Sequence, residues 1–510
     1  MRGTGGEGQS GGRHACGGAI MLKVLFVGSE CAPYAKCGGL ADVVASLPKA
    51  LRAMGVDARI AMPLYGSIDR GRYGIVPDGT CLVNAGGGEV NGCGVHCALA
   101  DGGVPVWFVE HERFFARGGV YDEHGAAFGD NAFRFGLLCM AAAQICRDRE
   151  WMPDVVHVHD WPTSLFPVLM ESWRRQGRAF GNAGSVLTIH NQAYQGYSHP
   201  SVMGYLGLGG EFFSPDALES YGQLNLLKGG IQFADRVTTV SPTYAREVLG
   251  EPGGNGLSGY LRGRGGEFQG ILNGVDYDEW NPEGDPLIPA RYGADDMGGK
   301  AACKEALRGM FGLARDDAPV FGMVGRLVEQ KGIGLLRDVA DWVLGEMRMQ
   351  LVVLGTGERW AEDWLRGLAW RHPGRVGVRI GYSNELAHRI EAGSDFFLMP
   401  SLFEPCGLSQ IYALRYGTLP VVHATGGLAD TIEQYDERSG AGTGFKFGAP
   451  TPQALHDAIG WAVSTWYDRR EHMDRLRRQA MSVRFGWDDS ARRYLEVYEA
   501  VVRRRGGGGN

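Results

Sequence analysis

The apolar runs of this 510-residue chain fall into two separate series, each run of strand length and each ending in polar residues. The first series opens with "LKVLFVGSE" (22–30) and continues through "VDARIAMP" (56–63), "VPVWFVE" (104–110), "DVVHVHD" (154–160), "GSVLTIHN" (184–191) and "RVTTVSP" (236–242). The second starts at "APVFGMVGRL" (318–327) and runs through "MQLVVLGTG" (349–357), "RVGVRIGY" (375–382), "DFFLMPS" (395–401) and "LPVVHAT" (419–425). Helical patterns separate the runs. The clearest is "GGLADVVASLPKALRAMG" (38–55), with Leu40, Val43, Val44, Leu47, Ala50, Leu51 and Met54 at helical spacing and Gly55 as its stop. Unbroken apolar strands alternating with helices specify a mostly parallel sheet covered on both faces. Two such series specify an α/β chain with two Rossmann-like domains.

The expected division places the first domain at 21–266 and the second at 267–485, with the glycine-rich "GEPGGNGLSGYLRGRGGE" (250–267) as a flexible approach to the boundary. An amphipathic helix is expected over 486–503. Residues 1–20 and 504–510 carry too little apolar side chain to pack and are expected to be disordered tails.

Ligands of open parallel sheets bind beyond the carboxyl ends of the strands. Two domains facing each other across those ends enclose one deep cleft. The string GGLAD stands at such a place twice, at 38–42 and at 426–430, each time where a strand end meets a helix start. Paired glycines let backbone N–H groups approach an anion closely, so the two copies are expected on opposite walls of one cleft. The flanks do not match, so this is no internal repeat.

Net charge is −7, which does not favour a nucleic-acid partner or an anionic membrane. Residues 1–20 hold no apolar leader, and no window approaches the ~18 apolar residues of a membrane span. The ten cysteines show no CxxC pair and no zinc spacing, in keeping with free thiols in a reducing compartment. A bacterial cytoplasmic chain is expected, in preference to a plastid one.

Taken together, the longer strings resemble the bacterial glycogen synthases and plant starch synthases, over about 21–503. The resemblance is carried by "KCGGLADVV" (36–44), "HVHDW" (157–161), "TIHNQAYQG" (188–196), "ADRVTTVSPTYARE" (234–247), "LNGVD" (272–276), "GRLVEQKG" (325–332), "PSLFEPCGLSQIYALRYGTLPVV" (400–422) and "TGGLADT" (425–431), in the family's order. It implies the GT-B arrangement of two Rossmann-like domains. It also implies glucose transfer from ADP-glucose to the non-reducing 4-hydroxyl of an α-1,4-glucan, with retention of configuration. The partners implied are that nucleotide sugar and a glycogen or maltooligosaccharide primer.

The same resemblance assigns roles. Arg326 and Lys331 clamp the diphosphate, a fit for a guanidinium fork and an ammonium point charge. Lys36 reaches the same phosphates from the loop of Gly38 and Gly39, and Asp42 lies in the helical turn beyond it. His190 sits beside the sugar with Asn191, and Asp160 meets sugar or acceptor hydroxyls. Glu404 holds the sugar, while the backbone at Cys406, Gly407 and Leu408 meets the donor glucose. Tyr412 stands where the broader class has a second glutamate, Asn273 of LNGVD joins the donor site, and Tyr382 is placed to stack on adenine. Thr425, Gly426 and Gly427 cap the diphosphate from the second domain. Cys37 replaces the family's usual Thr, which puts the fine positioning of its loop in doubt. Beside Lys36 and a helix start its thiol is expected to have an elevated thiolate fraction.

No metal or cofactor is expected. The one Asp-x-Asp string, "DYD" at 276–278, and the paired aspartates at 295–296, 316–317 and 488–489 lie away from the glycine loops. His157 and His159 share one side of a strand but have no carboxylate cluster to complete a metal site. Two other readings stand beside the leading one. A retaining transferase for another sugar nucleotide is disfavoured by Tyr412 and the full KxGGLAD string. A glucan-binding scaffold would have no use for Arg326, Lys331 and Lys36 together.

Overall fold

The computed structural model describes residues 21–123, 125–178, 180 and 182–506; the expected tail at 1–20 and residues 507–510 lie outside the described residues. A nine-stranded sheet is built from β1 (Lys23–Val27), β2 (Asp57–Pro63), β3 (Val76–Asn84), β4 (Val90–Ala100), β5 (Val104–Glu110), β6 (Val155–His159), β7 (Gly184–Ile189), β8 (Arg236–Thr239) and β9 (Phe268–Gly270). Its spatial order is β9-β8-β7-β6-β1-β2-β5-β4-β3. A six-stranded sheet follows from β10 (Val320–Val324), β11 (Gln350–Gly355), β12 (Val376–Ile380), β13 (Phe396–Met399), β14 (Leu419–His423) and β15 (Phe445–Phe447), in the order β12-β11-β10-β13-β14-β15. Within these two sheets every pairing is parallel except β3 with β4 and β4 with β5.

Every expected strand forms, because runs such as Val24–Val27 and Val155–His159 are buried along their whole length, as a doubly covered parallel strand must be. Four helices matter below: α1 (Gly39–Ala53), α2 (Pro242–Glu247), α3 (Gly426–Thr431) and α4 (Trp487–Gly506). The buried face of α1 is Leu40, Ala41, Val43, Val44, Leu47, Pro48 and Leu51, and Gly55 ends it in the left-handed region at φ 87°.

Two hydrophobic cores form. One joins Val24 through Ile271 with Trp487–Val501 of α4; the other runs from Val275 to Met481. Three expectations shift accordingly. Phe268–Gly270 pairs with Val237–Thr239 at the edge of the first sheet, so the first domain extends past 266. The glycine-rich 250–267 is not a free linker: Leu257 and Leu261 are buried in the first core, and Gln192 and Gln195 hold the backbone carbonyls of Gly254 and Asn255. The last helix continues to Gly506, beyond the tail expected from 504, because Arg504 pairs with Glu267 and Arg505 with Asp235 of the first domain. That helix returns to the first sheet, where Tyr498 Oη lies 2.7 Å from His157 Nδ1. Among the described residues no helix is long and apolar enough to cross a membrane.

Candidate active site

The parallel part of each sheet has a point where its strand order reverses, between β1 and β6 in the first and between β10 and β13 in the second. The loops leaving such neighbouring strands diverge and open a crevice at their carboxyl ends. In the first domain those loops carry Glu30 to Gly38 and Asp160. In the second they carry Arg326, Lys331 and Glu404. The two crevices meet: Arg326 donates to Tyr194 Oη at 3.3 Å, and Asn191 donates to Gln330 Oε1 at 3.5 Å, both across the domain boundary.

Asp160 anchors the first wall. It ends β6 in the left-handed region at φ 54°, a conformation that costs a non-glycine residue of order 1–3 kcal/mol. There its Oδ1 accepts the N–H groups of His190 at 2.6 Å and Asn191 at 3.3 Å. Burial pushes the Asp160 carboxyl up to about 7 despite those two donors. The His190 ring contacts His159 Nδ1 through Nε2 at 3.1 Å. Burial drives His190 down to about 3, so it is a neutral imidazole at physiological pH. Both nitrogens of His157 are occupied, by Tyr498 at 2.7 Å and Thr188 at 2.6 Å, so that ring is a packed hydrogen-bonded group.

The two GGLAD strings do different work. In the first, Glu30 Oε2 accepts the N–H of Cys37 at 2.5 Å and of Gly38 at 3.0 Å, while Tyr121 donates to Glu30 Oε1 at 2.5 Å. The anion on these amides is thus the chain's own buried carboxylate, which burial holds above the usual carboxylate range against its three donors. Nothing within 4 Å fills the space a side chain would take at Gly38. Lys36 pairs with Asp42 at 2.7 Å. In the second string, Gly426 has φ 44°, and a Cβ at Gly426 or Gly427 would lie 2.0 Å from the Glu404 carbonyl or 1.9 Å from that of Cys406. That pair is required by close backbone packing. Its expected anion donors are also engaged: Thr425 Oγ1 and the Gly426 N–H donate to Glu247 Oε1, each at 3.0 Å, and the Gly427 N–H donates to the Glu404 carbonyl at 3.0 Å.

Opposite, Lys331 Nζ lies 2.5 Å from Glu404 Oε2, which also accepts from Ser401 at 3.1 Å. Glu404 is 5% exposed. Gly407 turns the chain at φ 70°, held by Gln410, which donates to the carbonyls of Cys406 and Gly407 at 3.0 Å each. Burial pushes the Cys406 thiol up to about 12 even with Asn273 beside it, which makes it a poor nucleophile. Tyr412 is buried and stacks on Trp280 at 3.9 Å, and His388 stacks on Trp280 at 3.8 Å. Tyr382, by contrast, is 78% exposed and helps line a cavity of about 350 Å³ with Arg379, Gly381, Ser383 and Leu354.

Cys37 departs from expectation. Desolvation, then the Glu30 and Asp122 carboxylates, push its thiol up to about 12 against the opposing pull of Arg326. The helix start that was to acidify it is already neutralised by Glu30. Iodoacetamide at pH 7 is therefore expected to modify Cys37 at least about ten-fold more slowly than free glutathione, read by peptide mass spectrometry. A rate equal to glutathione's would contradict this electrostatic picture. Glu30, Tyr121, Glu247 and Gln330 were not singled out from the sequence; Glu247 and Gln330 lie inside motif strings and Glu30 closes the first strand-like run, whereas Tyr121 lies in none of them.

Comparison with known proteins adds to this geometry. Residues 23–263 match the family model for the starch synthase catalytic domain, and residues 311–481 match that for glycosyl transferases group 1. The chain is 48% identical over 492 residues to glycogen synthase 1 of Geobacter sulfurreducens, covering 96% of this chain and 98% of the relative. It is 44% identical over 494 residues to the glycogen synthase of Treponema denticola, covering 95% and 99%. Among solved structures it is similar to the catalytic domain of starch synthase IV from Arabidopsis thaliana bound to ADP and acarbose, with TM-score 0.88 and 35% identity over 95% of this chain and 100% of that one. Sucrose-phosphate synthase of Thermosynechococcus elongatus shares the fold alone, at TM-score 0.59 and 17% identity over 95% of this chain and 100% of that one.

Proposed function

This chain belongs to the glycogen and starch synthase family of glucosyltransferases, and from that premise we propose that it moves glucose from ADP-glucose to the non-reducing 4-hydroxyl of an α-1,4-glucan with retention of configuration. The observation that carries the reading is the convergence of cations on one cleft. Arg326 and Lys331 stand at the reversal point of the second sheet, and Lys36 stands at that of the first.

Breaking the bond between sugar and diphosphate places negative charge on the leaving phosphate. Arg326, Lys331 and Lys36 supply fixed positive charge where that anion develops. Lys36 keeps its charge there: burial alone would lower its pKa, but Asp42 outweighs burial and holds it above its ordinary value. Glu404, hydrogen-bonded to Lys331 and Ser401, is placed to receive the hydroxyls of the donor glucose. Neutral His190 and the Asp160 carboxyl offer hydrogen-bonding groups on the opposite face without a cation beside the developing positive charge at the sugar carbon. The exposed ring of Tyr382 offers a stacking face to the nucleobase.

A turnover screen with ADP-, UDP- and GDP-glucose and a glycogen primer tests the assignment. ADP-glucose is expected to give the highest kcat/KM; preference for another donor, or release of free glucose only, would overturn it. Because the protein supplies the cations itself, transfer is expected to persist in excess EDTA. Activity lost to chelator and regained only with magnesium or manganese would contradict that charge assignment.

A further inference from the structure

The second GGLAD string makes a reciprocal contact across the domain boundary that the transfer reaction, as described, does not use. The helices α2 of the first domain and α3 of the second each present an acid to the other's first turn. Asp430 accepts from Ser241 Oγ at 2.7 Å, from the Thr243 N–H at 2.9 Å and from Thr243 Oγ1 at 2.5 Å. In return Glu247 accepts from Thr425 Oγ1 and the Gly426 N–H, each at 3.0 Å. Ser241 is itself the cap of α2, accepting the Tyr244 N–H at 2.9 Å, so Asp430 holds the residue that starts that helix. All five acceptor contacts are to carboxylates, the stronger kind of hydrogen bond.

The contact leads into the donor wall. The loop that Glu247 holds presses on the Glu404 backbone, since the Gly427 N–H donates to the Glu404 carbonyl at 3.0 Å. The Glu404 side chain in turn holds Lys331 at 2.5 Å. A path of hydrogen bonds joined by short stretches of chain therefore runs from the first domain to the cation of the clamp.

We propose that Glu247 and Asp430 are positioning residues: they form a two-way latch that exists only with the domains closed and sets the Thr425–Gly427 loop, and through it Glu404 and Lys331, for transfer. This rests on the transfer reaction proposed above. It couples closure to the alignment of the donor wall, so a donor bound in the open form would not be matched to the clamp and would not be wasted on water.

The test uses the full chain with Glu247→Ala, Glu247→Gln, Asp430→Ala and Asp430→Asn. The alanine variants are expected to lower kcat on the order of ten-fold or more, the scale of losing hydrogen bonds to a charged acceptor, with KM for the glucan unchanged. A larger share of ADP-glucose should be lost to water. The amide variants keep an acceptor oxygen and should regain most of kcat. Small-angle scattering with ADP present should show the alanine variants more open than wild type. Unchanged kcat and unchanged water-to-glucan partition in folded alanine variants would overturn the latch, as would tighter ADP binding on removal of Glu247, which would make that carboxylate a competitor of the diphosphate. If wild type itself fails to use ADP-glucose, the transfer assignment fails. The scattering difference between wild type and Asp430→Ala then still decides whether the latch closes the domains.

Discussion

Arg326→Ala is expected to lower kcat/KM for the donor by at least ~100-fold while leaving the melting temperature unchanged. A preorganised cation facing a developing anion is worth that much, on the scale of removing one oxyanion-stabilising group. The fold should be indifferent, because among the described residues the hydrogen bonds of Arg326 are the long ones to Tyr194 at 3.3 Å and Gln330 at 3.5 Å. Lys331→Ala is expected to lose as much activity but also to lose stability. Its ammonium sits 2.5 Å from the buried Glu404 carboxylate, which would be left with Ser401 as its remaining side-chain donor. An underserved buried charge costs about 1–3 kcal/mol or more. Kinetics and thermal melts of the two variants separate the effects; a folded Arg326→Ala enzyme with near wild-type turnover would remove the clamp from the mechanism.

Asp160→Ala is the second large effect, again expected at about 100-fold in turnover. The side chain fixes the wall rather than filling it, since its Oδ1 accepts both N–H groups that follow β7. Alanine orphans those donors and must hold φ 54° without a side-chain hydrogen bond to justify it. Asp160→Asn keeps the acceptor and tolerates that backbone, so it should retain more activity. The carboxyl is raised from 3.8 in a free chain to about 7 in the fold. The native state then binds the proton more tightly than the unfolded state, and native stability falls as pH climbs from the lower value to the higher. Wild-type unfolding free energy, measured relative to Asp160→Asn, should decline between pH about 4 and pH about 7 and level off above. A flat difference would mean that the group is not desolvated as the structure has it.

Apart from the three-residue strands Phe268–Gly270 and Phe445–Phe447, which were too short to stand out, the parallel strands of both sheets could be read from the sequence because their runs are largely apolar, as a doubly covered strand demands. The antiparallel extension of Val76–Asn84 and Val90–Ala100 escaped for the opposite reason. One of its faces meets solvent, as at exposed Leu82, Val90 and Leu99, and glycines interrupt both strands. The site strings announced themselves by length, yet identical strings took different jobs. Gly38 leaves open space at a helix start, whereas Gly426 and Gly427 are pressed against backbone carbonyls. What packs on a loop decides its use, and that partner lies elsewhere in the chain. Glu30 and Glu247 show the same limit. A carboxylate after a strand or at a helix end is commonplace, and only folding brings each one onto the amides of a glycine loop. Tyr412 was noticed for its identity, but its stacking on Trp280 depends on a residue far upstream.

If the two facing domains carry out glucosyl transfer on cations that the chain itself supplies, the product keeps the α configuration and no added metal is needed. Proton NMR of the reaction between ADP-glucose and a maltooligosaccharide, followed from the first turnovers in the presence of EDTA, tests it most directly. A new α-1,4 anomeric signal is expected to grow at the rate at which ADP appears. A β-anomeric product, or ADP released with free glucose and no chain extension, would contradict it.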